Sequence, residues 1–483
     1  MLGAGAMTAA ERIVAQICQF TVFIVAARML GPADFGTYAL VSACAILLLR
    51  ASEVGWAPYI MCWAGDDLVP RQVLTMAIVC GFVFGILGFA GSYGAQWWGM
   101  SADTVVLMQL FSVWVTLATI SSAQKGVMIW MKRLRLSALS EILGELVGLA
   151  VSLSTLLAGW GVLSIAFGRL AYQVTHLSIS LLVTRKLPAF GFEGAMVREL
   201  WTFSHHFFTS RMLANIRLYA ATFIIGGALG PAGVGYYRVA ERLVGAVAEV
   251  IAVPGQLLGW ALFKEARDGE GAAQADTRVR AQLLTFLRLL TVISAPLFVW
   301  LIATSDILIS GLLDSEWLPA VPLVAMLALA RLLGTYGIAT EPLLSLTGQS
   351  RELPRLSMIM LVTTVATTLV AVPFGLLAVA GAQLVTAVIL LVVTLRLFDR
   401  FAGVTPAAFL GSLRDLVGPL GVGIGTLVAS DYILTLQTLV PPLAQAVLSG
   451  LIAVAAYGAA LALMAPSVVE QLIGTRRKEA PAR

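Results

Sequence analysis

The strongest constraint on this chain is a succession of apolar runs, each about 20 residues long and separated by short polar connections. A helix of that length crosses a hydrocarbon layer of about 30 Å. Of the 483 residues, 59% are hydrophobic and 12% charged, where a soluble domain carries about 25% charge. The pattern excludes a water-soluble fold and predicts an all-α polytopic membrane protein. Reading by hydrophobic window gives about fourteen spans. They lie near 12–30, 37–63, 72–91, 104–130, 137–158, 161–184 and 203–229, then 235–262, 281–304, 317–346, 355–373, 376–397, 407–430 and 441–466. The first run is too long for a signal h-region and is expected to stay as the first span. Cys18, Cys44, Cys62 and Cys80 all fall inside spans without C-x-x-C spacing and read as small buried apolar residues rather than metal or disulfide partners.

The formal charge is +5, but the basic residues are scattered between spans, so no nucleic-acid partner is expected. Their placement sets orientation, because cytoplasmic loops hold the excess of Lys and Arg. One side of the alternation collects Arg71, Lys132, Arg133, Arg135, Arg185, Lys186, Arg198, Lys264, Arg267, Arg278, Arg280, Arg351, Arg355, Arg396 and Arg400. The tail adds Arg476, Arg477, Lys478 and Arg483, and only Arg28 falls on the other side. Both termini are therefore expected in the cytoplasm, with Trp97 and Trp98 at the outer interface.

The chain repeats itself. Arg12–Val41, RIVAQICQFTVFIVAARMLGPADFGTYALV, aligns without gaps on Arg211–Ala240, RMLANIRLYAATFIIGGALGPAGVGYYRVA. Identities include Arg12 with Arg211, Leu30-Gly31-Pro32-Ala33 with Leu229-Gly230-Pro231-Ala232, Gly36 with Gly235 and Tyr38 with Tyr237. The offset of 199 positions spans six predicted helices, so both copies enter from the same side and the repeat is parallel. Gly and Pro also make a tight turn between helices, but a turn alone does not account for the matching flanks.

The segment ARMLGPADFGTYAL, Ala27–Leu40, resembles the signature of bacterial polysaccharide transporters. These are the oligosaccharide flippases of the multidrug/oligosaccharidyl-lipid/polysaccharide superfamily, and length, span number and repeat extend the resemblance over nearly the whole chain. It implies two parallel six-helix bundles in a V, similar to multidrug exporters, plus two C-terminal helices. Domains would then be an N-lobe at 1–185, a cytoplasmic linker at 186–202, a C-lobe at 203–398, and two further spans with the basic tail at 399–483. It also implies carriage of an undecaprenyl-diphosphate-linked glycan from the inner to the outer leaflet.

The charges inside spans lead to the same class of cargo independently, since such charges are costly and gather on interior faces or cavities. Arg50, Lys125, Arg169, Arg211, Arg217, Arg238, Arg242, Arg288 and Arg331 lie in or near spans. Helical spacing groups them: Arg238, Arg242 and Glu249; Arg169, Gln173 and His176 beside Tyr172; Arg12, Gln16 and Gln19; Ser121, Lys125 and Met128. These cations outnumber the interior acids Glu53, Glu141, Glu145, Glu241, Glu249 and Glu341, which predicts a positive cavity. The planar guanidinium fork suits phosphate, so Arg50, Lys125, Arg169, Arg211, Arg217, Arg238, Arg242 and Arg331 are the substrate-binding candidates. The same arginines can instead tie helices together through Glu or snorkel to the interface, as near-terminal Arg12, Arg211 and Arg288 would. Glu53, Glu249, Glu341 and His176 are the coupling or interlobe candidates. The repeat offset also sets Arg50 at the position equivalent to Glu249, opposite charges able to form an interlobe bridge. His205 and His206 are expected to be structural. Pro58, Pro254, Pro296, Pro342 and Pro419 are either hinges or packing kinks.

No nucleotide loop of the form G-x-x-x-x-G-K-[ST] is present, so the expectation is no cofactor, with H+ or Na+ coupling or the membrane potential driving transport. A cation exporter of the same superfamily would need an acid-dominated pocket. A membrane-embedded glycan polymerase or ligase would need a large outer loop. The expected partners are the lipid-linked glycan, the bilayer, and polymerase and glycosyltransferase proteins of surface-polysaccharide synthesis in the inner membrane.

Overall fold

The computed structural model describes residues 2–186, 188–191, 194–268, 275–435, 441–466, 468 and 470. Among the described residues there is no strand. The chain runs through α1 (Leu2–Met29), α2 (Pro32–Ser52), α3 (Trp56–Cys62), α4 (Leu68–Trp97), α5 (Ala102–Trp130), α6 (Leu134–Leu157) and α7 (Leu163–Thr184). The very long α8 (Gly194–Asp268) follows, then α9 (Ala275–Ala303), α10 (Ser305–Leu312), α11 (Val321–Gly334) and α12 (Thr340–Leu346). The chain closes with α13 (Glu352–Ala371), α14 (Leu376–Ala402), α15 (Pro406–Thr435) and α16 (Pro442–Met464). The basic tail and residues 436–440 lie outside the described residues.

Twelve of the described stretches are long and apolar enough to cross a bilayer, which makes the chain a multi-pass membrane protein. One of them, Arg211–Arg267, is 57 residues long, about 85 Å at helical rise and so ample for two crossings. Its direction changes at Gly230, whose φ of 77° interrupts the helix. The expected span at 161–184 is helical, but Arg169, Gln173 and His176 lower its hydropathy and it is not among the twelve. The expected span at 37–63 is broken: Glu53 ends α2, and Gly55 at φ 100° starts α3. Helix α8 begins at Gly194, inside the segment read as a linker.

By internal packing the chain forms two compact units, Met1–Gly235 and Tyr236–Arg483. In the first, α4 packs on α5, α6 on α7, and α1 on α6. Trp56, Tyr59, Ile60, Leu74, Val127 and Leu200 form one of its apolar cores, knitting α3, α4, α5 and the start of α8. Small residues let α6 and α7 approach closely: Gly148 lies on the carbonyl of Gly168, and Gly168 on Ser152, the small-xxx-small packing that serves helices in lipid. In the second unit, Val292, Leu416, Tyr457 and Leu461 bind α15 and α16 to α9.

The two copies of the repeat meet inside the first unit. A Cβ on Gly36 would overlap the backbone carbonyl of Pro231, and a Cβ on Gly235 that of Pro32. Contacts of this reciprocal kind belong to a local two-fold relation. They draw the second copy's turn into the first unit, which is why the packing boundary falls at Gly235.

The cysteines depart from expectation. All four are free thiols and Cys18 is buried, but Cys44 and Cys62 are exposed and Cys80 half-buried. A span turns part of its surface to lipid, where a small apolar thiol needs no burial within protein.

Candidate functional site

The first unit gathers side chains from four helices into one ion network. Helical periodicity gives each helix its polar stripe: Glu11 and Gln19 on α1, Ser121 and Lys125 on α5, Glu141 and Glu145 on α6, and Arg169, Tyr172 and His176 on α7. Glu141 is the hub. Lys125 Nζ lies 2.7 Å from its Oε1, His176 Nε2 lies 3.4 Å from the same oxygen, and the Tyr172 hydroxyl donates to Oε2. Lys125 also reaches Glu11 at 3.7 Å. One turn along α6, Glu145 accepts from Gln19 Nε2 at 2.8 Å and faces Arg169, which is also hydrogen-bonded to Tyr38. A carboxylate with several donors can remain charged away from water.

Ser121 Oγ lies 2.5 Å from His176 Nδ1, so Ser121, His176 and Glu141 stand in the order of a hydrolytic triad. Ser121 is only 1% exposed, which denies a substrate any approach to a nucleophile there. The arrangement suits holding or passing a proton.

The second unit carries a smaller and more basic cluster. Arg238 Nη1 lies 2.5 Å from Glu241 Oε2, one turn along α8, and Arg331 of α11 approaches Glu241 Oε1 at 3.9 Å. The Tyr237 ring is buried beside them. Two guanidinium groups thus flank one carboxylate. Arg331 keeps 51% of its side chain exposed, leaving its fork available to a ligand. Elsewhere in this unit, Gln256 donates to Glu341 at 3.0 Å, and Arg288 bridges α9 to Asp415 of α15 at 3.2 Å.

The cationic candidates thus divide. Lys125, Arg169 and His176 come together in the first unit and Arg238 with Arg331 in the second, while Arg50 pairs with Glu53, three residues on, at 2.5 Å. Arg211, Arg217 and Glu249 are exposed and Arg242 half-buried along α8. Glu141, Glu145 and Glu241 read from sequence only as interior acids, yet each organises a cluster; Glu11 and Tyr172 were not singled out as site residues at all. The i, i+4 spacing of Glu141 and Glu145 was a visible signal of a shared face.

The first unit also carries an apolar, partly open cavity of about 960 Å³ near the α4–α5 connection, at the end of α5 away from Lys132 and Arg133. Leu48, Leu87, Trp97, Phe111 and Phe223 line it, and no lining residue is charged. Its hydroxyls are engaged locally, Thr37 with Ala33 and Ser112 with Met108. Its chemistry fits hydrocarbon.

Among curated proteins, the chain is 23% identical over 317 residues to the succinoglycan biosynthesis transport protein ExoT of Rhizobium meliloti (strain 1021), covering 65% of this chain and 62% of that protein. It is 21% identical over 275 residues to the teichuronic acid biosynthesis protein TuaB of Bacillus subtilis (strain 168), covering 56% and 55%. The match thus spans about three fifths of those relatives' length. Its fold is similar to that of the lipid II flippase MurJ in an inward closed conformation, with a TM-score of 0.72 at 12% identity, over 97% of this chain and 100% of that one. A family model described as polysaccharide biosynthesis protein matches residues 25–322. With more than half of its length matched, and with the first-hairpin motif inside the matched region, the chain belongs to this family of bacterial polysaccharide transporters.

Proposed function

We propose that the protein is a flippase that carries an undecaprenyl-diphosphate-linked oligosaccharide across the inner membrane, from the cytoplasmic to the outer leaflet, for surface-polysaccharide synthesis. The observation that carries this reading is the Arg238–Glu241–Arg331 cluster, two guanidinium groups beside one carboxylate on membrane helices, with the Arg331 fork half exposed. Guanidinium forks bind phosphate oxygens bidentately, and a diphosphate is the charged part of such a cargo. The family and the transport role named for the Rhizobium relative support the same class of cargo. The uncharged cavity of the first unit supplies the apolar surface that a polyprenyl tail requires.

Movement proceeds by alternating access, without making or breaking a bond in the cargo. The network around Glu141 and His176 is the coupling element, a place where a proton or a sodium ion changes the charge that Lys125 and Arg169 balance. Both termini lie in the cytoplasm, and the working partners are the glycosyltransferases that build the repeat unit and the polymerase that consumes it.

The test is accumulation. Cells lacking the gene should hold lipid-linked repeat units on the cytoplasmic leaflet, inaccessible to an external glycan-modifying reagent. Restoring the wild-type gene should expose them, and restoring an Arg238→Gln/Arg331→Gln variant made at normal level should not. Full external exposure without the gene refutes the reading.

A further inference from the structure

The span that carries Arg331 holds a second charged residue, Glu341, beyond a change of winding. Helix α11 ends at Gly334, a 3-10 segment runs over Thr335–Ala339, and α12 opens with Thr340 and Glu341. In 3-10 winding, residues three apart eclipse one another, which keeps a face straight along the span. One face is buried through Thr335, Tyr336, Ala339 and Thr340. Tyr336 anchors it: its hydroxyl lies 3.1 Å from Thr291 Oγ1 of α9, and its ring centroid 5.0 Å from that of Phe409 in α15.

The other face is open. Arg331, Gly334 and Glu341 are exposed and Gly337 is half-buried. Outside their own turns, nothing described lies within 4 Å of where a Cβ would sit on Gly334 or Gly337. Arg331 and Glu341 are thus the two ends of a shallow trough about 17 Å long at α and 3-10 rise. Helix α8 runs alongside, with Gly255 against Ile338 and Gly259 against Pro342, which sets Gln256 beside Glu341. Gln256 Nε2 donates to Glu341 Oε2 at 3.0 Å, and both residues are exposed. A carboxylate offers about four acceptor positions, of which this bond takes one.

As a tie between helices the pair adds only modestly, because α8 is already seated by its glycines. An acid in a membrane span turns to the bundle interior or to a water-filled path, not to hydrocarbon. An exposed carboxylate beside an amide suits a polyhydroxylated ligand. The carboxylate accepts from neighbouring hydroxyls, the amide supplies both a donor and an acceptor, and a floor without Cβ atoms admits a sugar ring close to the backbone.

We propose that Glu341 and Gln256 are specificity-determining residues that hold the first sugars of the cargo's glycan, and that they select uncharged, hydroxyl-rich sugars over acidic ones. The assignment rests on the flippase reading and deepens it. Arg331 at one end of the trough takes the diphosphate, and Glu341 at the other repels a sugar carboxylate, since like charges brought together are costly.

Full-length protein in phosphatidylcholine nanodiscs, read by native mass spectrometry, tests this with undecaprenyl diphosphate alone, bearing a short glucose oligosaccharide, or bearing a short glucuronic acid oligosaccharide. Wild type should bind the glucosylated lipid about tenfold tighter than the bare lipid, and the glucuronylated lipid no tighter than the bare one. Gln256→Ala/Glu341→Ala should bind bare and glucosylated lipid equally, because a site built to hydrogen-bond hydroxyls loses its preference with those groups. Glu341→Gln keeps an acceptor without the charge and should bring the glucuronylated lipid to within about threefold of the glucosylated one. Such a change of preference does not follow from a merely structural role. Arg331→Gln should weaken all three probes alike.

Equal binding of bare and glucosylated lipid by wild type, or a glucose preference that survives in the double variant, would overturn the assignment and leave the flippase reading standing. So would loss of bare-lipid binding in Glu341→Gln, which would make the pair a structural or coupling element. Unchanged rejection of the glucuronylated lipid in Glu341→Gln would overturn the selection against acidic sugars. Failure of wild type to bind any of the three probes would refute the flippase reading itself, and the role of the pair with it.

Discussion

The two units use charge in different ways. In the first, three glutamates, a lysine, an arginine and a histidine interlock through Glu141 and Glu145, and most of that charge is balanced locally. In the second, one glutamate serves two arginines, whose own charge is fixed at any physiological pH because arginine does not titrate there. A balanced network containing histidine responds to protons, whereas an arginine excess provides a constant attraction for an anion. On the flippase reading proposed above, the contrast would place coupling in the first unit and cargo charge in the second, within one chain whose formal charge of +5 distinguishes neither.

The strongest test of that contrast is Arg238→Glu. It reverses the sign of the second cluster and should lower transport about a hundredfold, the scale of losing one partner of a desolvated charge pair. Protein yield in membranes should stay near normal, and near-normal transport would break the comparison. Lys125→Met leaves Glu141 and Glu11 short of a cation. Because the lysine is partly exposed, its loss should cost about 2 kcal/mol, read as a lower thermal midpoint. The corresponding change in the second unit, Arg331→Met, should move the midpoint little, since an ion pair that exposed is worth about 0–1 kcal/mol.

His176→Gln should flatten the pH profile of transport between about pH 5 and 8, the range in which histidine changes charge, while leaving the rate at the optimum within about threefold. An unaltered profile would remove His176 from coupling. The smallest effect is expected between α3 and α4, where the Asp67 carboxyl is held below its usual range by a hydrogen bond from Lys186. A lowered carboxylate pKa contributes stability above the group's ordinary range and loses it as pH falls through the depressed value. Asp67 is solvent-exposed, so Asp67→Asn should leave both the thermal midpoint and its pH dependence unchanged within error.

The extent to which the sequence disclosed this depended on the range of the interaction. Arg169, Gln173 and His176 shared a face by helical period alone, and the structure keeps them on one helix. Pro58 marked the irregularity in the second span, yet the break falls at Gly55, because a left-handed φ at glycine ends a helix more sharply than a proline bends one. The span at 317–346 looked uniform, but it alternates α-helix with two 3-10 segments, Ser315–Ala320 and Thr335–Ala339, a change of winding that apolar composition does not register. Partner choice was the least visible part. A single sequence gives the face of Lys125 but not that Glu141 and Glu11 lie opposite it, nor that Glu241 recruits Arg331 from ninety positions away. For that reason Lys125 read as a free cavity cation, where the structure gives it two acidic partners.

The reciprocal seating of Gly36 on Pro231 and Gly235 on Pro32 has a consequence for how such a chain can change over generations. Each glycine is held small by the main chain of the other copy, not by its own surroundings. A side chain gained at one position would have to be answered by displaced backbone 195 positions or more away. The duplicated hairpins are therefore not free to diverge separately at this point, and their likeness here is kept by mutual steric constraint as well as by common descent.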